Sequence, residues 1–184
     1  MHNRVRTVFG VVASVVIGVT LSVTMLAGVA CGKDVTKLLA PGAQAPEVVG
    51  EGAGGESVRL SAQRGKHAVV YFYPKDDTPG CTKEACAFRD AFDEYTQRGI
   101  VIFGVSRDDA KSHRAFRKQY ELPFPLVADV DGKVQAAYGV PSRFGLASRV
   151  TFIVGPDGKI IRVFPDVDPA LHSTEVLAAI PRSP

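Results

Sequence analysis

The sequence is poor in side chains that bind metal ions or take part in thiol–disulfide exchange. It contains only three cysteines among 184 residues, and no two of them form a Cys-x-x-Cys pair. The absence of that pair argues against a thioredoxin-like dithiol oxidoreductase. Cys81 and Cys86 are separated by four residues, but the histidines are scattered and no second pair of ligands exists. This argues against a zinc site.

The chain also has little net charge outside its N-terminus. The formal net charge is +3, and Arg4 and Arg6 are the only charged residues before Cys31. The remainder of the chain therefore carries a net charge of only +1. A nearly neutral domain has no electrostatic reason to bind nucleic acid, and we expect no such partner.

One long apolar run is present, from Thr7 to Ala30. As a helix, it is long enough to span roughly 30 Å of hydrocarbon, with its arginine-bearing end in the cytoplasm. Alternatively, Gly28-Val29-Ala30-Cys31 resembles a bacterial lipoprotein cleavage site, with Cys31 as the lipidated residue. Both interpretations make residues 1–31 an export signal or an anchor. Both place the folded part outside the cytoplasm, attached to a membrane through its N-terminus only.

Residues 32–40 are predicted to be a linker and residues 41–184 a single domain without internal repeats. The glycine-rich residues 50–56 predict a hairpin loop between two short edge strands. The predicted elements that follow are strands at 58–60 and 67–73, a helix at 79–98 before Gly99, a strand at 100–105, a helix at 109–121, a strand at 124–128, a helix at 133–138 before Gly139, a hairpin of strands at 149–154 and 159–164, and a helix at 169–180.

This alternation predicts an α/β fold with a central mixed sheet flanked by helices. The continuous apolar run from His67 to Tyr73 is typical of a strand buried on both faces. The order β-α-β-α-β-β-α is that of the thioredoxin fold. Chemistry in such folds concentrates at the carboxyl ends of the central strands, and Cys81 comes just after one of them.

The spacing of Cys81 and Cys86 is unusual for a disulfide. On an intact helix their α-carbons would be roughly 8.6 Å apart. A disulfide tolerates no more than about 7 Å. In an extracytoplasmic protein the two thiols could still form a structural disulfide, so the spacing alone leaves that alternative open.

The residues before Cys81 are typical of a helix N-terminus. Thr78 is a good N-cap residue, and Pro79 fits the first helical position. Cys81 then lies in the first turn, where free backbone N–H groups and the helix dipole favour a thiolate nucleophile. We interpret Asp76 and Asp77 as acids that serve the same dipole.

A second group of charged residues lies on the helix predicted at 109–121. We interpret His113 and the basic run 114–118 as a solvated face of that helix.

These residues resemble a known family. Residues 74–81, PKDDTPGC, match the Pro-xxx-Thr-xx-Cys signature of peroxiredoxins in the AhpC/TSA family. Residues 78–86, TPGCTKEAC, resemble the Q-type branch, also called bacterioferritin comigratory protein. The resemblance continues from Pro41 through residues 104–106 and 138–140 to residues 172–177, which is nearly the whole domain.

The resemblance implies a role for each signature residue. Cys81 would be the peroxidatic cysteine and Cys86 the resolving one. Thr78 would hydrogen-bond the thiolate and the peroxide, and Pro74 would shield the pocket from water. Arg149 would stabilise the thiolate and the charge that develops on the peroxide oxygens.

Arg143 is a rival for the cationic position, six residues earlier in the sequence, but Arg149 fits the family position better.

The resemblance also implies an antioxidant peroxidase that uses hydrogen peroxide and organic hydroperoxides and needs no metal, haem or flavin. Its expected reductant is thioredoxin or an exported thioredoxin-like protein, and Q-type members are often monomers. Two alternatives are a thiol-disulfide oxidoreductase on the same fold and a non-catalytic envelope domain with a permanent Cys81–Cys86 bond.

Overall fold

The computed structural model describes residues 37–182, in which strands and helices alternate largely as expected. The strands are β1 (Val49–Glu51), β2 (Ser57–Arg59), β3 (Ala68–Phe72), β4 (Val101–Ser106), β5 (Leu126–Ala128), β6 (Ser142–Arg143), β7 (Leu146–Ala147), β8 (Val150–Val154) and β9 (Ile160–Phe164). The helices are α1 (Pro79–Asp90), α2 (Phe92–Gln97), α3 (Ala110–Tyr120), α4 (Lys133–Ala137) and α5 (His172–Ala179).

The predicted leader, including Cys31, lies outside the described residues. The export signal, the anchor and the lipid attachment therefore remain predictions. Between residues 37 and 182, no helix combines the length and the apolar character that crossing a membrane requires. The end of the predicted linker lies against the domain, because Leu38 and Leu39 pack on its core and the Leu39 N–H donates to the Tyr138 carbonyl at 3.1 Å.

The central sheet is mixed, as predicted. Its seven strands have the order β2-β1-β5-β4-β3-β8-β9. β3, β4 and β5 run parallel to one another, while β8 pairs antiparallel with both β3 and β9. Because Phe72 at the end of β3 pairs with Val150 at the start of β8, the carboxyl end of β3 lies beside the residues that precede β8.

β3 forms the centre of the core, and every one of its residues is buried. Tyr71 faces the layer of α1 and stacks on Phe88, with ring centroids 4.9 Å apart. Phe72 points to the opposite face, where its ring lies 5.3 Å from Tyr138. The apolar run therefore reflects burial on both sides of the sheet, as predicted from the sequence.

The prediction of a single helix over residues 79–98 is wrong, because this segment forms two helices that are separated at Ala91. Ala91 has φ −92° and ψ 1° and ends α1 before α2 begins. The break lets α2 pack on α5, where the Tyr95 hydroxyl donates to the Ser173 carbonyl at 2.6 Å. Gly99 follows α2 and has φ +65°, a conformation that glycine adopts without strain.

The predicted hairpin around residues 50–56 is present, but only one of its strands lies at an edge. β1 pairs with β2 on one side, and its residue Glu51 pairs with Leu126 of β5 on the other. The prediction of two edge strands is therefore wrong for β1.

Candidate active site

Cys81 lies at the carboxyl end of β3, in the first turn of α1. It is the third residue of the helix and only 3% exposed. Cys86 is half-buried in the same unbroken helix, and both are free thiols. Because the helix is intact between them, they stand too far apart to be joined in this conformation.

Arg149 supplies the cation of the site. It precedes β8, so the pairing of Phe72 with Val150 brings it to the end of β3. Its Nη2 lies 3.4 Å from the Cys81 sulfur. Burial lowers the pKa of Arg149, but the neighbouring Glu84 carboxylate and Cys81 sulfur raise it overall, so the guanidinium is charged.

Arg143, the rival candidate, lies in β6 and is exposed to solvent. The geometry therefore favours Arg149 as the partner of the thiol.

Glu84 is a member of this cluster that the sequence interpretation missed. It is fully buried, and its Oε2 forms an ion pair with Nη1 of Arg149. Burial raises the pKa of Glu84 to about 7, against the opposing charge of Arg149. The spacing of three residues from Cys81, which places both on one helix face, is the sequence signal that points to it.

Two buried oxygen atoms near the thiol have no hydrogen-bond partner among the described residues. They are Oε1 of Glu84 and the hydroxyl of Tyr71. Burial and the nearby charges of Glu84 and Cys81 raise the pKa of Tyr71 well above its ordinary value, so this phenol is neutral.

Thr78 occupies the N-cap position, but its hydroxyl does not cap the helix. The hydroxyl donates to the Lys75 carbonyl at 3.0 Å, and the helix begins with a bond from the Thr82 N–H to the Thr78 carbonyl. The predicted side-chain cap is therefore absent. Pro74 is half-buried and lies two residues after the end of β3. The predicted roles of Thr78 and Pro74 toward a peroxide stay predictions.

Asp76 is not a surface acid that serves the helix dipole, and that interpretation is wrong. It is 6% exposed and accepts hydrogen bonds at 2.7 Å from the hydroxyls of both Tyr73 and Ser112. His113 Nδ1 lies 2.9 Å from the same carboxylate. Burial raises the pKa of Asp76, but these partners, His113 first, lower it overall, so the group is ionised.

The solvated face predicted for residues 113–118 of α3 is wrong at three positions, because His113, Phe116 and Arg117 are buried. His113 is 2% exposed, and its Nε2 lies 3.1 Å from the Val127 carbonyl. Arg117 is buried as well and donates to the carbonyls of Gly52 and Glu51. α3 therefore joins the loop before α1 to the β1–β2 hairpin.

His172 is a second buried histidine behind the site. Its Nε2 lies 2.8 Å from Thr151 Oγ1, and its ring packs edge-on against Phe88. Burial, and then the charge of Arg149, lower the pKa of His172 to about 4. The imidazole is therefore neutral at neutral pH.

The profile of the AhpC/TSA family matches residues 41–163. The chain belongs to the AhpC/TSA family. It is 42% identical to the chloroplastic peroxiredoxin Q of Triticum aestivum over 156 residues, which is 83% of this chain and 70% of that protein. It is 43% identical to a putative peroxiredoxin bcp of Coxiella burnetii over 133 residues, covering 68% of this chain and 88% of that one.

Solved structures of this family have the same fold. The peroxidoxin BcpB of Mycobacterium tuberculosis aligns with a TM-score of 0.68 and 31% identity, covering 76% of this chain and 95% of that one. Peroxiredoxin Q of Xanthomonas campestris aligns with a TM-score of 0.67 and 38% identity, covering 77% and 94%. The resemblance to the Q-type branch and the predicted thioredoxin-like fold are both confirmed.

Proposed function

We propose that this protein is a thiol-dependent peroxidase that reduces hydrogen peroxide and organic hydroperoxides at Cys81. The contact that carries the proposal is the 3.4 Å approach of Arg149 Nη2 to a buried thiol in the first turn of a helix. Both the helix N-terminus and the guanidinium favour the thiolate, which is the reactive form. Membership of the AhpC/TSA family supports the same conclusion.

In the first step the Cys81 thiolate attacks one peroxide oxygen and the O–O bond breaks. The sulfur becomes a sulfenic acid, and the leaving oxygen takes both electrons of the broken bond and a proton to give an alcohol or water. Negative charge moves onto the peroxide oxygens during this step, and fixed donors must stabilise it. We assign that role to Arg149, with Thr78 as a second donor and Pro74 as the shield against water.

In the second step the Cys86 thiol attacks the Cys81 sulfenic acid, and a disulfide and one water form. The intact α1 keeps the two residues apart, so its first turns must unwind first. This requirement separates a catalytic disulfide from a structural one. A permanent bond across so short a loop would contribute little stability.

The cycle needs a reductant that restores both thiols by disulfide exchange. We propose thioredoxin or an exported thioredoxin-like protein, with the enzyme acting as a monomer in antioxidant defence. The domain would act outside the cytoplasm, attached to the membrane by a lipid on Cys31 or by the apolar N-terminal segment. The intact mass of the native protein tests this: loss of the leader with added acyl mass indicates a lipoprotein, and full length indicates an anchor.

Peroxide consumption by the purified full-length protein, with dithiothreitol as reductant, tests the peroxidase. We expect the wild type to consume peroxide and Cys81→Ser to consume none. In a separate reaction with one equivalent of peroxide and no thiol reductant, Cys86→Ser should stop as a sulfenic acid that dimedone traps.

Full turnover by Cys81→Ser would contradict the proposal. A wild type that keeps its disulfide under reducing conditions and consumes no peroxide would favour the non-catalytic envelope domain. Insulin disulfide reduction without peroxide consumption would favour the thiol-disulfide oxidoreductase.

A further inference from the structure

Tyr120, the last residue of α3, contacts the cysteine-bearing segment on both sides of its two cysteines. Its hydroxyl donates to Oδ1 of Asp77 at 2.5 Å, four residues before Cys81. Its backbone carbonyl accepts from Nη1 of Arg89 at 2.9 Å, three residues after Cys86. One residue therefore ties together the two ends of the segment that must unwind.

The Asp77 end of this connection is conformationally strained. Asp77 has φ +54°, a left-handed conformation that a non-glycine residue adopts only at a cost. Gln119 supports the same contact, because its Nε2 lies 2.8 Å from the Tyr120 hydroxyl and 3.4 Å from Oδ1 of Asp77. The strained backbone is thus stabilised by two adjacent residues at the end of α3.

The hydrogen bond to Asp77 is the main reason why the pKa of Tyr120 is raised. Tyr120 thus has one hydrogen-bond partner before Cys81 and one after Cys86. Unwinding the first turns of α1 changes the distance between Asp77 and Arg89, so the two contacts cannot both survive.

We propose that Tyr120 is a positioning residue that stabilises the intact α1 and so decides the fate of the Cys81 sulfenic acid. The inference rests on the proposed peroxidase function. In the unwound form the sulfenic acid condenses with Cys86, releasing water. In the intact form it meets a second peroxide, which oxidises it to sulfinic acid and leaves as an alcohol. The Tyr120 hydroxyl favours the intact form and therefore the second fate.

The direct test is Tyr120→Phe, which removes the hydroxyl but keeps the ring packed on Phe116 and the carbonyl that Arg89 contacts. Loss of one hydrogen bond to a carboxylate should shift the intact-to-unwound ratio by about three- to tenfold. Stopped-flow measurements should show faster formation of the disulfide. They should also show a slower reaction of the Cys81 thiolate with peroxide, because less of the protein has an intact α1. Mass spectrometry should show less sulfinic acid per turnover.

The matched control is Tyr95→Phe, which also removes a phenolic hydroxyl bond to a neighbouring helix but leaves the cysteine segment untouched. A general loss of stability would not change the ratio between the rate of disulfide formation and the rate at which Cys81 reacts with peroxide. We therefore expect this ratio to be the same in Tyr95→Phe as in the wild type. Asp77→Asn keeps an acceptor oxygen and should give a smaller effect than Tyr120→Phe. The double variant Tyr120→Phe with Asp77→Asn should be less than additive.

Hydrogen exchange of the reduced protein tests the same inference without any peroxide. We expect the amides of residues 80–86 to exchange faster in Tyr120→Phe than in Tyr95→Phe. Equal exchange in the two variants, or an unchanged ratio of the two rates, would overturn the role of Tyr120 while leaving the peroxidase intact. Failure of the wild type to consume peroxide would instead refute the proposed function, and hydrogen exchange would still decide whether Tyr120 stabilises α1.

Discussion

The guanidinium of Arg149 contacts both the Cys81 sulfur and the Glu84 carboxylate. Nη2 lies 3.4 Å from the Cys81 sulfur, while Nη1 pairs with the buried Glu84 carboxylate. Because Glu84 is one helical turn after Cys81, the pair ties β8 to the helix face that carries the thiol. The orientation of the cation at the sulfur thus depends on a carboxylate that need not touch the peroxide.

Arg149→Lys should lower the rate of Cys81 oxidation by hydrogen peroxide. Lysine keeps the charge but cannot present two donors in a fixed plane, so it cannot serve the sulfur and Glu84 together. Loss of one fixed donor to a developing charge costs about 100-fold or more in rate. Arg143→Lys is the matched control, because Arg143 is exposed, and its rate should equal that of the wild type. Equal losses in both variants, measured by stopped flow, would contradict the assignment.

Glu84→Gln should remove one step from the pH profile of the same reaction. Burial, opposed by the charge of Arg149, raises the pKa of Glu84 to about 7. The wild-type rate should therefore rise through about pH 7, as the ionised carboxylate fixes the Arg149 guanidinium. Glutamine has no charge to gain, so the variant should keep a low rate without this step. An unchanged midpoint in the variant would assign the step to another group.

Much of this architecture follows from local sequence signals, and the rest depends on distant contacts. Three signals depend only on neighbouring residues: the apolar run of β3, the glycine at 99 and the Thr78-Pro79 helix start. The structure has the strand and the two helix ends close to the predicted positions. Glu84 was missed because its partner Arg149 is 65 residues away. The break at Ala91 likewise depends on a contact that α2 makes with α5.

The interpretation of Asp76 and His113 was also wrong because of a contact between residues that are distant in the sequence. Aspartate is usually exposed and histidine is often partly exposed, and the two residues lie 37 positions apart in the sequence. Only the parallel arrangement of β3, β4 and β5 brings the loop after β3 against α3. Local composition therefore indicates a solvated face where the fold forms a buried hydrogen bond between a carboxylate and an imidazole.

Asp76→Asn should destabilise the protein strongly. The carboxylate accepts hydrogen bonds from two hydroxyls and pairs with the buried His113, whose Nε2 also faces a carbonyl. Weakening several buried hydrogen bonds to a carboxylate at once should cost about 3 kcal/mol in the free energy of unfolding. Asp90→Asn is a suitable control, because Asp90 forms an exposed pair with Arg89 and its loss should cost less than about 1 kcal/mol. Urea unfolding curves that show similar costs for the two variants would rule out a structural role for the buried pair.

His172 should make the protein less stable as the pH falls from 6.5 to 4. Burial, followed by the charge of Arg149, lowers the pKa of His172 from its ordinary value of 6.5 to about 4. Between these values the unfolded chain binds a proton that the folded protein excludes, so acid favours unfolding. The loss for one such group is on the order of 1–3 kcal/mol. Glu84 acts in the opposite direction, because its raised pKa makes the folded protein bind the extra proton.

The contribution of His172 can be isolated with His172→Gln, which keeps a side-chain amide near the Thr151 hydroxyl but does not titrate. Its free energy of unfolding should fall less between pH 6.5 and 4 than that of the wild type, even if the variant is less stable at pH 7. The difference between the two curves then reports His172 alone, since Glu84 titrates in both proteins. Parallel curves in urea unfolding across this range would show that His172 binds its proton equally in the folded and unfolded states. Such a result would be incompatible with an imidazole enclosed between Phe88 and Phe164 beside a charged guanidinium.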